Sequence, residues 1–314
     1  MPFRHRLLAA IIILASPLVV GGCDRGPSGD GTDAPRGETR IVVLAPAAAE
    51  MVDALGAADL VVAVGDYVRW PPGFAGLPRV GGYDSPNVET VLEHEATLLV
   101  TAAGVAGATS FERLESLGVE VLPLDTSTYD GVFASLRTLG SRLGLRDRAT
   151  ELERTMRARL ESVRERAEGA APRKVLFVVG RDPLYVAGPG SHVDELIGLA
   201  GGVNVAVDAM SPYQMVSLEA MIERMPDVIV DTSDNRPGSL RGRTPGPWGK
   251  WGFLPAVEND RVYWVEPDRL VIPGIRLPEM AELMGRLIHP ERFGEAEDVH
   301  FGPLVAGPES PISD

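Results

Sequence analysis

The sequence predicts an α/β protein of two Rossmann-like lobes bridged by a single long helix, on three observations. First, a helix-then-strand unit occurs twice. Asn87-Val88-Glu89-Thr90-Val91-Leu92-Glu93 is echoed by Ser217-Leu218-Glu219-Ala220-Met221-Ile222-Glu223, and each copy leads through a short break into an apolar strand, Leu98-Leu99-Val100 or Val228-Ile229-Val230. Second, short β-rich runs alternate with helical patterns, which implies mostly parallel sheets with helices on both faces. Third, Arg146 to Ala167 contains no Gly or Pro and places Ala149, Leu152, Met156, Leu160 and Val163 at spacings of three and four. That is an amphipathic helix of about 20 residues, hence ~30 Å long, lying between the two copies of the repeat.

The elements follow in chain order. Arg4, His5 and Arg6 precede the apolar run Leu7 to Val20, too short and wrongly flanked for a membrane span. It ends in Val20-Gly21-Gly22-Cys23, which resembles the bacterial lipobox. Residues 1–22 are therefore expected to be a lipoprotein signal peptide, with Cys23, the sole cysteine, lipidated and held at the outer face of the cytoplasmic membrane. Asp24 resembles the signal that keeps many Gram-negative lipoproteins at the inner membrane. Residues 23–38 are polar and small and read as a flexible tether, whose reach is roughly 20 Å root-mean-square and roughly 50 Å at the limit.

An N-terminal α/β lobe is expected over 39–145. Its strands are Arg40 to Leu44, Leu60 to Val64, Thr97 to Thr101 and Val119 to Leu124, with helices at Ala47 to Leu55 and Phe111 to Leu117. The bridging helix takes 146–168. The second lobe, 169–294, begins with the strand Lys174 to Val179. Gly188-Pro189-Gly190-Ser191 lacks the Walker lysine and the dinucleotide glycine spacing, so it reads as a turn into a helix from Val193 to Ala200. Strands at Asp227 to Val230 and Arg261 to Val265 complete that lobe, and 295–314 is a loose Pro- and Gly-rich tail.

Composition narrows the function. A net charge of −14 argues against nucleic acid or anionic lipid as a partner. There is no Gly-x-Ser-x-Gly elbow and no His-Glu-x-x-His, and His94, His192 and His289 stand apart from one another. The expectation is no catalysis, no cofactor and no resident metal site, with His192 alone among the histidines placed to face a cleft. Glu89 and Glu219 occupy the same first-turn position of the two repeat copies. A first-turn acid gains ~0.3–1 kcal/mol from the helix dipole, but a matched pair, one per lobe, also suits a grip from outside.

Further stretches carry a family resemblance. Arg40-Ile41-Val42-Val43-Leu44-Ala45-Pro46, Leu77-Pro78-Arg79-Val80-Gly81-Gly82, and Val203-Asn204 after a double glycine resemble the iron-siderophore, haem and cobalamin periplasmic-binding proteins, the substrate-binding components of ABC importers. The resemblance runs from Arg40 to His289. It implies the helical-backbone periplasmic-binding fold, a monomer, and a permease with its ATPase as partners, with Glu89 and Glu219 docking on permease arginines. It implies a ligand cleft between the lobes, where Tyr67, Tyr83, Tyr185 and Tyr213 match pocket aromatics of the cobalamin-binding members. Arg181 and Arg276 could reach polar edges of a ligand or form surface or interlobe ion pairs. Ala45 and Ala49 stand where relatives usually have hydroxyls, Ala102 replaces a pocket tryptophan, and Gly82 holds the place of the haem-ligating tyrosine, with Tyr83 one step along. The ligand implied is therefore a large metal chelate, a corrinoid before a ferric siderophore or haem. A ligand-sensing receptor would share the same fold and cleft.

Overall fold

A computed structural model describes residues 39–105, 109–233, 246–267 and 270–296. Cys23, the signal segment and the tether lie outside the described residues. In the N-terminal lobe β1 (Ile41–Val43) leads to α1 (Pro46–Ala54), β2 (Val61–Val64), α2 (Val88–Glu93), β3 (Leu98–Ala102), α3 (Thr109–Ser116), β4 (Glu120–Leu124) and α4 (Tyr129–Arg142). Its four strands form a parallel sheet in the order β2-β1-β3-β4. The bridging helix α5 (Arg146–Ala167) has the bounds its apolar spacing predicts.

The second lobe runs through β5 (Arg173–Arg181), β6 (Leu184–Ala187), α6 (His192–Leu199), β7 (Gly202–Asn204), β8 (Tyr213–Met215), α7 (Leu218–Glu223) and β9 (Val228–Asp231). It ends with α8 (Pro255–Glu258), β10 (Val262–Trp264), α9 (Leu277–Ile288) and α10 (Pro290–Phe293). Its sheet runs β10-β9-β5-β6-β8, with β7 pairing to β5. The sheet is mixed: β7, β9 and β10 are parallel to their partners, whereas β6 and β8 form an antiparallel ribbon on one edge.

The repeat survives as structure. Asn87 caps α2 by accepting the Thr90 N–H at 3.1 Å, and Ser217 caps α7 by accepting the Ala220 N–H at 3.3 Å. Each helix then leaves through a non-glycine residue in the left-handed region, Glu95 at φ 51° and Met225 at φ 52°. The same reversal feeds the same strand in each lobe.

One apolar core runs through both lobes: Val43, Val100 and Phe133 of the first, Met156 and Leu160 of α5, and Phe177, Val230 and Met284 of the second belong to a single buried cluster. The outer sheet faces carry their own cores, around Phe111 in one lobe and Trp248 in the other. The bridging helix divides its attachments along its length. Towards its start, Arg148 donates to the Ala54 carbonyl at 3.2 Å and Glu153 accepts from Arg137 at 2.8 Å. Towards its end, Arg159 meets Glu279 at 2.5 Å and Arg166 meets Glu282 at 2.7 Å, both on α9.

The lobes also meet directly. Gly274 lies so close to α1 that a Cβ there would touch the Ala47 Cβ at 3.5 Å. Beside it, Arg276 forms a two-pronged ion pair with Glu50 of α1, at 2.5 Å (Nη2 to Oε1) and 3.0 Å (Nε to Oε2). The Glu50 side chain is 1% exposed. Removing one member of such a pair strands a buried charge, which costs about 3–5 kcal/mol. Arg276→Met should therefore lower the denaturation free energy by about that amount in urea melts, and Glu50→Leu combined with Arg276→Met should recover most of the loss. A single variant as stable as wild type would show that the seam does not depend on this pair.

Candidate functional site

In open α/β sheets ligands are bound outside the carboxyl ends of the strands, and the candidate residues gather there. In the first lobe the chain leaves β2 through Gly65, where a Cβ would sit 2.5 Å from the Leu44 carbonyl oxygen, so only glycine fits the turn. Arg79 staples the loop by donating from Nη1 to the carbonyls of Gly65 at 2.8 Å and Val68 at 2.6 Å. That presents Tyr67. The second loop is held by Thr101, buried at the end of β3, whose hydroxyl donates to the Tyr83 carbonyl at 3.1 Å. The Tyr67 and Tyr83 rings meet edge to face, 5.9 Å apart at 63°, and both stay exposed, as does Trp70.

In the second lobe the aromatic surface is built by strand alternation. Tyr185 pairs with Met215, and Ala187 with Tyr213, across the β6–β8 ribbon. Leu184 and Val186 point to the opposite face and are buried. Tyr185, Tyr213 and Met215 are left as a partly exposed apolar surface. Arg181 ends β5, its guanidinium 4.9 Å from the Trp264 ring centroid, and its buried Nη1 has no hydrogen-bond partner among the described residues. A buried cationic donor without an acceptor is costly, and a ligand carbonyl or carboxylate would satisfy it.

The structure thus brings Tyr67 and Tyr83 together in one lobe and places Tyr185 and Tyr213 on one ribbon in the other. Arg276 it places in the ion pair with Glu50. Glu89 and Glu219 are exposed on the first turns of α2 and α7. Glu219 is oriented by the Ser217 hydroxyl, which donates to Oε2 at 2.7 Å and holds its carboxyl below the usual range. Among the described residues no group of three or more His, Cys, Asp or Glu is placed to hold a metal ion.

One participant, Glu50, escapes the sequence reading, which already singles out His192. Glu50 sits in an otherwise apolar stretch of α1, and an acid in such a helix is a signal for a buried partner. His192 is buried at the start of α6, with Nε2 2.9 Å from the Leu270 carbonyl and Nδ1 3.1 Å from the Tyr213 hydroxyl. Burial lowers its pKa to about 4 despite the Leu270 bond, and burial likewise pushes the Tyr213 phenol up to about 12. Away from the tyrosines, a groove of about 490 Å³ lies where α4, α5 and α6 converge, lined by Tyr129, Phe133, Arg157 and Glu195 among others. There Glu195 of the second lobe accepts the Tyr129 N–H of the first at 2.8 Å.

Comparison with known proteins agrees with this geometry. A family described as periplasmic binding protein matches residues 41–268. An uncharacterized ABC transporter substrate-binding lipoprotein of Bacillus subtilis, YvrC, is 28% identical over 82% of this chain and 82% of its own. The vitamin B12-binding protein of Vibrio cholerae is 28% identical over 77% of this chain and 86% of its own. The crystal structure of the V. cholerae protein BtuF, a periplasmic vitamin B12 binding protein, superposes with a TM-score of 0.67 over 79% of this chain and 95% of that one. The periplasmic heme binding protein HutB of V. cholerae gives 0.70 at 25% identity, over 81% of this chain and all of its own (100%).

Proposed function

Because the chain belongs to the periplasmic binding protein family, we propose that it is the membrane-tethered substrate-binding lipoprotein of an ABC importer, and that it carries a corrinoid between its lobes. The observation that carries this reading is the pair of exposed aromatic surfaces, Tyr67 with Tyr83 on one lobe and Tyr185 with Tyr213 on the other. Flat aromatic faces with hydroxyl tips suit a broad macrocycle with polar edges. Arg181 supplies a donor for a peripheral carbonyl, and Arg276 serves the seam. The protein binds and releases its cargo without chemistry, in keeping with relatives that are themselves named as binding proteins.

A ferric siderophore or haem is the second reading, supported by the likeness to HutB. Against haem stands Gly82 at the family's iron-ligating position. Against an anionic siderophore stands the small number of cations that the described residues place at the strand ends. The deciding measurement is a calorimetric titration of the purified protein with cobalamin, cobinamide, haem and a ferric siderophore. We expect sub-micromolar binding of a corrinoid, weakened at least tenfold by Tyr83→Ala and by Tyr185→Ala. Tight binding of a ferric chelate with no response to either corrinoid would move the cargo to iron.

Delivery follows from two further features. Glu89 and Glu219 would meet arginines of the permease, one per lobe, so that docking is registered by both lobes at once. Glu89→Ala and Glu219→Ala should lower uptake while leaving ligand affinity within twofold, and the double variant should be much worse than either single one. Normal uptake by the double variant, or lost ligand binding, would refute the docking role. The anchor is Cys23, with residues 24–38 as tether. Cys23→Ser should appear as soluble protein or unprocessed precursor in cell fractionation. A processed, membrane-bound Cys23→Ser protein in wild-type amount would refute lipidation.

A further inference from the structure

The Tyr213–His192–Leu270 chain has a fixed direction. The Leu270 carbonyl can only accept, so at 2.9 Å the His192 Nε2 must carry a proton. The ring is buried and neutral at physiological pH, its pKa lowered to about 4 by desolvation. Its Nδ1 is therefore a bare lone pair, and the Tyr213 hydroxyl at 3.1 Å must donate to it. Turning the phenolic proton elsewhere would set two lone pairs against each other and leave a buried acceptor unpaired. Leu270 in turn belongs to the segment that carries Gly274 and Arg276 to the interlobe seam, so the histidine is held from the same stretch of chain.

We propose that Tyr213, its proton committed to His192, offers its phenolic oxygen to the cargo only as a hydrogen-bond acceptor, and so selects macrocycles edged with amide N–H donors over those edged with carboxylates. This rests on the corrinoid reading above and deepens it. A corrinoid periphery carries primary amides, which can donate to such an oxygen. The carboxylates of haem, or of a corrinoid lacking its amides, would meet a lone pair with no proton between. An unpaired polar group of this kind discriminates by about 10- to 100-fold in affinity. Arg181 works beside it as a donor: its guanidinium can donate to a carboxylate or an amide oxygen and favours the carboxylate, so the preference for amides falls to Tyr213.

The experiment compares cobinamide, which bears amides, with cobyrinic acid, which bears carboxylates, by titration of the purified full-length chain in detergent. The wild type should prefer cobinamide. Tyr213→Phe keeps the ring and removes the acceptor, so it should weaken cobinamide by about 10-fold or more, leave cobyrinic acid nearly unchanged, and shrink the ratio between them. His192→Leu frees the tyrosine proton and should shift the ratio further towards the acid; circular dichroism establishes that each variant is folded. A purely structural tyrosine would weaken both ligands together and leave the ratio fixed, and that result would overturn the inference while keeping the corrinoid reading. Failure of wild type to bind either corrinoid would overturn both. So would a haem complex whose phenolate-to-iron absorption band is lost in Tyr213→Phe, because the oxygen would then be a metal ligand.

Discussion

The contact on which the arrangement depends is the buried ion pair between Glu50 and Arg276. Two lobes with separate sheets could adopt many relative angles, and each fixed angle costs conformational entropy that some contact must offset. An Arg–carboxylate pair with two prongs is specific in direction as well as distance. Because Glu50 is almost fully shielded from water, opening the seam breaks a two-pronged bond to a buried carboxylate, which is costly. The segment that carries Arg276 also supplies the Leu270 carbonyl to His192, and through it orients Tyr213. A seam residue and a cleft residue are thus held by the same stretch of chain.

A second set of attachments between the lobes is made by α5. Its attachments change partner between Arg157, which lies over the Phe133 ring of the first lobe at 3.9 Å, and Arg159, which pairs with Glu279 of the second. Bending between the lobes would have to bend this helix or break one set of contacts. With one core running through both lobes and two sets of contacts joining them, small closure is favoured over a wide hinge. The cleft aromatics are correspondingly preorganised, each on a loop or ribbon fixed by backbone hydrogen bonds.

Much of this was legible in the residues because the signals were local. The 22 helical residues of α5 contain no breaker, and the repeat units carry a cap, a first-turn acid and an apolar pair within seven positions. Other elements lacked such signals. Helix α4 contains Gly131 and Gly140, both poor helix formers; at Gly140 a Cβ would come within 2.5 Å of the Ala149 Cβ, so its absence lets α4 approach α5. Helix α9 begins Leu-Pro and is buried along most of its length, so only the narrow stripe of Glu279, Glu282 and Arg286 marks its period. The ribbon strands β6 and β8 are four and three residues long and turned the expected parallel sheet into a mixed one. The site divided the same way. Tyrosines on loops could be picked out singly, whereas the Tyr213–His192 bond joins residues 21 positions apart and the Glu50–Arg276 pair residues 226 apart, and neither separation leaves a pattern in one sequence.

The most direct test of the account is a crystal structure of the protein with cobinamide. The account predicts the corrin ring between the lobes, Tyr67 and Tyr83 against one side, Tyr185 and Tyr213 against the other, and the Glu50–Arg276 pair intact. A ring bound in the groove beside α5, or a cleft that binds only after that ion pair has parted, would contradict it.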